Sequence, residues 1–203
     1  MSGFLTYRRI KRVIDLIGGG LLITFLSPLW VGLILILTIS THGKPFFKQI
    51  RPGQYGCPFE IYKFRTLTDI RDCTGILLPD NERVTIIGKC LRRFSLDEIP
   101  QLINVIKGEM SLIGPRPLLM EYLPLYNQRQ NSRHDVKPGL SGLVQINGRN
   151  NLTWNEKFEL DQWYVENLSL KTDFYIFIRT PLVVLSGCGI AAEGEFSSSV
   201  FKG

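Results

Sequence analysis

At 203 residues, 44% of them hydrophobic and 21% charged, the chain is long enough to bury a core and too short for more than one domain with an appendage or two small domains. Its formal net charge of +6 and pI near 9.2 fit an anionic partner, a description that nucleic acid, an anionic bilayer and a phosphorylated small substrate all satisfy. Four cysteines (Cys57, Cys73, Cys90, Cys188) without a C-x-x-C pair or a nearby histidine cluster argue against a zinc site and read as free thiols of a reducing compartment, and His42 and His134 are too scattered for a histidine metal centre.

Residues 16–39 form 24 consecutive uncharged, mostly apolar positions behind Arg8, Arg9, Lys11 and Arg12. A straight helix of that length is roughly 36 Å long, enough to span a hydrocarbon core of roughly 30 Å. It is long for a signal peptide, and no small-residue cleavage site follows it. Two features oppose a simple span. Basic residues also follow the run, at Lys44, Lys48, Arg51, Lys63 and Arg65, so the positive-inside rule is met only if both flanks are cytoplasmic. Ser27-Pro28 also divides the run almost in half, and each half is too short to cross alone. A helix that dips in, breaks at Ser27-Pro28 and returns satisfies both, with the Ser27 hydroxyl bonding a carbonyl freed by the proline. Proline is tolerated in spanning helices, so on these residues alone both topologies stay open.

Residues 1–43 are thus read as a basic N-terminus and membrane helix, and 44–203 as a second unit with a turn-rich start. Residues 59–66 alternate apolar and polar and predict a half-buried strand of a small β element; residues 70–81 read as a surface loop. Helices are expected over 85–93, 97–107, 118–131 and 154–167. Residues 174–190 are apolar but interrupted by Arg179, Pro181 and Gly187, which suits an amphipathic helix at the headgroup level better than a span. The nearby aromatics Trp154, Phe158, Trp163, Tyr164 and Tyr175 fit either that interface or the core.

The most chemical stretch is LRRFSLDEIPQLINVIKGEMSLIGPRP, residues 91–117, in which Asp97 and Glu98 lie between Arg92-Arg93 and Arg116. A carboxylate can attack phosphorus or hold a metal, while guanidinium groups neutralise phosphate oxygens. The plainer reading of Ser95-Leu96-Asp97-Glu98 is an S-x-x-E capping box; Pro100 fits better if Asp97 is the cap. Arg116, locked between two prolines, is presented in a fixed direction for phosphate recognition or for a structural ion pair. In KPGLSGLVQINGR, residues 137–149, three glycines permit close backbone approach and Arg149 adds another anion contact.

Together KFRT at 63–66, LRRFSLDEIPQL at 91–102, NVIKGEMSLIGPRP at 104–117 and KPGLSGLVQINGR at 137–149 closely resemble bacterial sugar transferases, the monotopic polyprenyl-phosphate phosphoglycosyl transferases, of the minimal PglC-like type. The resemblance covers nearly the whole chain. It implies a predominantly helical α+β fold: a re-entrant N-terminal membrane helix broken at Ser27-Pro28, and a compact membrane-surface catalytic domain with a small β element and amphipathic helices. It implies transfer of a sugar-1-phosphate from a UDP-sugar to undecaprenyl phosphate with release of UMP, at the cytosolic face of the bacterial inner membrane. The partners are then the UDP-sugar, with UDP-N,N′-diacetylbacillosamine or another N-acetylated amino sugar favoured as donor and galactose, glucose and N-acetylgalactosamine donors left open, undecaprenyl phosphate and the phospholipid membrane, and no nucleic acid. By position in the motifs Asp97 is the expected nucleophile and Mg²⁺ ligand. Glu98 is its assistant, positioning Mg²⁺ and water or accepting a proton, and Lys63, Arg92, Arg116 and Arg149 are the phosphate or nucleotide contacts. The competing class is a non-catalytic scaffold binding anionic lipid, which leaves the acidic pair beside fixed arginines without a purpose.

Overall fold

The computed structural model describes residues 2–187 and 200–203; Cys188 and residues 188–190 of the expected C-terminal apolar stretch lie outside them. The fold is α+β and predominantly helical. Helix α1, Ser2–Ser40, is long and apolar enough to cross a membrane. Its helical assignment continues through Pro28, so the expected break at Ser27-Pro28 is instead a proline inside a continuous helix. The reason is local: Pro28 leaves the Thr24 carbonyl without its amide donor, and the Ser27 hydroxyl donates to that oxygen at 2.7 Å.

Both ends of α1 are fastened to the same body. Near its start, Arg12 donates to the carbonyls of Val105 (2.6 Å) and Ile106 (2.8 Å), and Lys11 pairs with Asp173 at 2.5 Å. Asp173 also accepts from the hydroxyls of Tyr7 (2.6 Å) and Tyr164 (2.7 Å), and Asp15 accepts from the Ser111 hydroxyl and the Leu112 amide, both at 2.9 Å. Toward its end, Leu33 and Leu37 are buried with Phe64 and Leu91.

The β element is an antiparallel hairpin of β1, Phe46–Pro52, and β2, Pro58–Phe64, in which Phe46 pairs with Phe64 and Pro52 with Pro58. The sequence pattern revealed β2 and not its partner, because β1 is exposed over most of its length and lacks a clean alternation. Strand parity places Phe59, Ile61 and Lys63 on one face of β2 and Phe64 on the other. The first face meets the core; Phe64 meets Trp30 of α1, ring centroids 6.4 Å apart.

Helices α2, Asp80–Arg83, and α3, Ile86–Arg93, follow, the latter capped by the Thr85 hydroxyl, which accepts from the Gly88 amide. The helix expected over 97–107 is two elements, a 3-10 helix Leu96–Gln101 and α4, Leu102–Lys107, because Pro100 has no amide to give an α-type bond to the Leu96 carbonyl. The helix expected over 118–131 is likewise split, into a 3-10 helix Met120–Leu125 carrying Pro124 and α5, Gln128–Asn131, restarted by an Asn127 capping box.

Strands β3, Ser111–Ile113, and β4, Gly139–Ser141, pair in parallel and join two motifs that the sequence alone left separate. The pairing is close enough that a Cβ on Gly139 would lie 2.0 Å from the Gly114 amide nitrogen, and one on Gly142 2.2 Å from the Gly114 carbonyl oxygen. These glycines serve the approach of the chain's own backbone.

Helix α6, Leu143–Asn147, leads to α7, Trp154–Glu166, with a Thr153–Glu156 capping box, and to α8, Leu170–Ser186, capped by the Ser169 hydroxyl. The aromatics divide between the two roles: Tyr164 and Phe158 are buried, while Trp163 and Tyr175 are about half exposed. Phe201 packs among Tyr122, Tyr126, Trp154 and Phe158. On α8, Phe174, Phe177, Ile178, Leu182 and Leu185 are exposed, an apolar surface of the kind that lies on a bilayer.

Candidate active site

Asp97 lies in the 3-10 helix that follows α3 and is only 9% exposed. The turn into it is made by Ser95 in the left-handed region, φ 53°, and in that conformation the Ser95 side chain caps nothing. The expected capping box is therefore absent. The Glu98 side chain turns away to bond Arg116 with both oxygens, Oε1 to Nη2 at 2.5 Å and Oε2 to Nη1 at 3.0 Å, and takes Lys63 Nζ on Oε1 at 2.6 Å. Lys63 reaches it from the core face of β2, and Arg116 from between its two prolines.

The two carboxyls are driven in opposite directions. Burial pushes Asp97 up to about 6, and the charge of Glu98 adds to the rise against the opposing cations. Burial also acts to raise Glu98, but Arg116 and Lys63 overcome it and hold this carboxylate well below its usual range. A carboxylate held so firmly ionised is a weak proton acceptor, and its three hydrogen bonds give it another task, fixing the directions of two cations.

Around the pair opens a cleft of about 1350 Å³. Lys63, Arg92, Asp97, Glu98, Arg116 and Arg149 all line it, so the structure brings together the residues singled out in the sequence, apart from Ser27 and Pro28 in α1. Arg92 Nε donates to the Thr66 hydroxyl at 2.9 Å; Arg149 donates to the Gln145 carbonyl (3.3 Å) and the Ser95 hydroxyl (3.4 Å). Among the described residues the lining holds eleven lysines and arginines against five acids, a surplus suited to a polyanionic ligand.

Sequence reasoning missed Arg51, whose pKa falls to about 10 through burial and the charge of neighbouring Arg116. It also missed Arg133 and Asp161, an almost fully buried pair at 2.7 Å. Arg133 Nη2 also donates to the Arg116 carbonyl at 2.7 Å, so the pair supports the backbone that presents Arg116. Asp161 did carry a signal: it shares the buried stripe of α7 with Phe158, Tyr164 and Val165, where an acid needs a partner. Arg133 and Arg51 carried none.

Three or more His, Cys, Asp or Glu side chains do not gather anywhere among the described residues in a way that would cage a metal by themselves. With Glu98 committed to Arg116 and Lys63, Asp97 is the carboxylate left to face the cleft. That donor set suits Mg²⁺, which is commonly held by one or two carboxylates together with substrate phosphates and water.

A model of the bacterial sugar transferase family matches residues 6–187, which includes every one of these groups. The chain belongs to that family. This transferase is 48% identical over 194 residues to an uncharacterized sugar transferase EpsL of Bacillus subtilis, covering 96% of each chain. It is 37% identical to the exopolysaccharide production protein ExoY of Sinorhizobium fredii, over 87% of the transferase and 86% of that protein. It is 35% identical to a UDP-glucose:undecaprenyl-phosphate glucose-1-phosphate transferase of Caulobacter vibrioides, over 84% of the transferase and 67% of that protein.

Proposed function

We propose that this sugar transferase moves a sugar-1-phosphate from a UDP-sugar to undecaprenyl phosphate, releasing UMP and forming undecaprenyl diphosphate sugar. The observation that carries the reading is the division of labour in the acidic pair: Glu98 is saturated by Arg116 and Lys63, while Asp97 faces a cationic cleft. The activity carried in the name of the Caulobacter relative supports the general reaction.

In the first half-reaction an Asp97 carboxylate oxygen attacks the sugar-proximal phosphorus, the bond from that phosphorus to the bridging oxygen breaks, and UMP leaves with the electron pair. The enzyme retains the sugar phosphate as an acyl phosphate on Asp97. In the second, an oxygen of undecaprenyl phosphate attacks the same phosphorus and the acyl-phosphate bond breaks, restoring the carboxylate. Two anions must meet twice, so Lys63, Arg92, Arg116 and Arg149 screen the approach and receive the charge that develops on the phosphate oxygens. Glu98 holds Lys63 and Arg116 in place before substrate arrives. Mg²⁺, held by Asp97 and the donor diphosphate, would add Lewis-acid charge stabilisation.

The lipid acceptor gives the membrane elements their purpose. Helix α1 is fastened to one body at both ends, whereas a straight crossing would carry one flank roughly 30 Å away from it; this supports a re-entrant α1 that bends at Pro28 while staying helical, with both flanks on the cytosolic face of the inner membrane. The cleft reaches Ser186 and Gly187 at the end of α8, whose exposed apolar face supports seating on the same surface.

The test is UMP release by the purified protein with undecaprenyl phosphate and a panel of UDP-sugars that includes glucose, galactose and N,N′-diacetylbacillosamine. At least one donor should release UMP in stoichiometry with lipid product, and Asp97→Asn should abolish it. Full activity in Asp97→Asn would remove the carboxylate from the chemistry.

A further inference from the structure

Gln145 is only 8% exposed, and among the described residues neither its Nε2 nor its Oε1 has a hydrogen-bond partner. Buried amides are nearly always paired, because an unmet donor or acceptor loses its water without replacement. This one lines the cleft from α6. Its own carbonyl accepts from Arg149, which in turn reaches Ser95, two residues from Asp97. The amide is thus placed in the wall of the reaction cleft, its donor and its acceptor both unmet among the described residues.

What would satisfy both narrows the ligand. A phosphate oxygen only accepts; it would engage Nε2 and leave Oε1 orphaned, and the cleft already holds a surplus of cations for phosphates. The complement of a carboxamide is a group presenting a donor beside an acceptor. Uracil presents N3–H flanked by two carbonyl oxygens. Leu140 and Val144 contribute apolar surface to the same cleft, which suits the faces of a planar base better than the hydroxylated surface of a sugar.

We propose that Gln145 reads the uracil edge of the donor nucleotide, its Nε2 donating to a uracil carbonyl and its Oε1 accepting from N3–H. The assignment rests on the UDP-sugar reading above and names the residue that recognises the base. A site built to pair a substrate N–H rejects an analogue lacking it more strongly than an apolar pocket rejects a change of size.

The test measures binding of UMP, N3-methyl-UMP and ribose 5-phosphate to the full chain in detergent or nanodiscs, as wild type and as Gln145→Met, which is close in length but has no amide. Methylation should weaken binding to wild type at least tenfold. Gln145→Met should weaken UMP by a similar factor, leave ribose 5-phosphate within twofold, and show no further loss on methylation. Equal affinity of wild type for UMP and N3-methyl-UMP overturns the proposal without relying on the variant. So does a variant that binds UMP normally, or one whose change falls on discrimination among UDP-sugars sharing the same base, which would turn the amide toward the sugar. Wild type that binds no UMP and releases none from any UDP-sugar fails the underlying reading and this assignment with it. Normal binding and release by wild type with an indifferent variant fails the assignment alone.

Discussion

Two adjacent carboxyls, Asp97 and Glu98, carry opposite duties because their neighbours differ. Glu98 fixes both Arg116 and Lys63, so Glu98→Gln should lower kcat by at least tenfold while leaving Asp97 in place, measured as UMP release under saturating donor. Arg116→Lys keeps the charge and loses the two-pronged bond, and it should also fall at least tenfold; an unchanged rate would mean that charge alone suffices. His134 makes a pH prediction. Burial, and then the charge of Arg133, lower its pKa to about 4, and its Nδ1 faces the Gly53 carbonyl at 3.2 Å. A group depressed in the fold contributes stability that is complete above its unfolded value of about 6.5 and is lost as pH falls through about 4, up to about 3 kcal/mol. Stability of wild type against unfolding in detergent should fall between pH 7 and 4, and His134→Gln should flatten that dependence; parallel curves would contradict it. At this scale the sequence showed the charged site residues, because acids and arginines set among prolines and glycines stand out. Gln145, Arg51 and Arg133 were silent, since their meaning comes from burial and from partners distant in the chain.

Elements were legible where one local rule governed them. Thr85 and Thr153 cap α3 and α7 as their residue types suggest, and the alternation of 59–66 predicted β2, which ends two residues earlier at Phe64. Local rules failed where a proline or a long-range contact decided. Pro100 and Pro124 turned two expected helices partly into 3-10 segments, and Ser95 adopted a left-handed turn that dissolved the expected capping box. The β3–β4 pair was invisible because three-residue strands carry no period. Gly139→Ala should abolish folding, read as loss of soluble detergent-extracted protein, since the added carbon meets the Gly114 backbone; normal yield would show that the pair can part. Asp173 holds Lys11 and Tyr7 of α1 and Tyr164 of α7. Asp173→Ala strands a mostly buried lysine and should cost about 3 kcal/mol in thermal unfolding, with Asp173→Asn retaining more stability.

For the whole molecule, charge and apolar surface have separate places: the cationic excess gathers in the cleft, and the longest runs of exposed apolar residues lie on α1 and α8. The sequence revealed both quantities but not their adjacency, which depends on α8 ending beside the cleft. The topology is tested by thiol labelling of Thr6→Cys and Lys44→Cys in a background without native cysteines. Re-entrance predicts that both label from the same face, and labelling from opposite faces would contradict it. In the proposed route a soluble donor and a lipid acceptor use one site in turn, with the sugar phosphate held by the protein between them. That is read most directly by the intact mass of the protein incubated with an active UDP-sugar and no lipid acceptor. The account predicts a mass increase of one sugar phosphate, mapped to Asp97, absent in Asp97→Asn and discharged by undecaprenyl phosphate. Turnover with acceptor but no adduct and no UMP without it would contradict the covalent step and leave direct attack by the lipid phosphate.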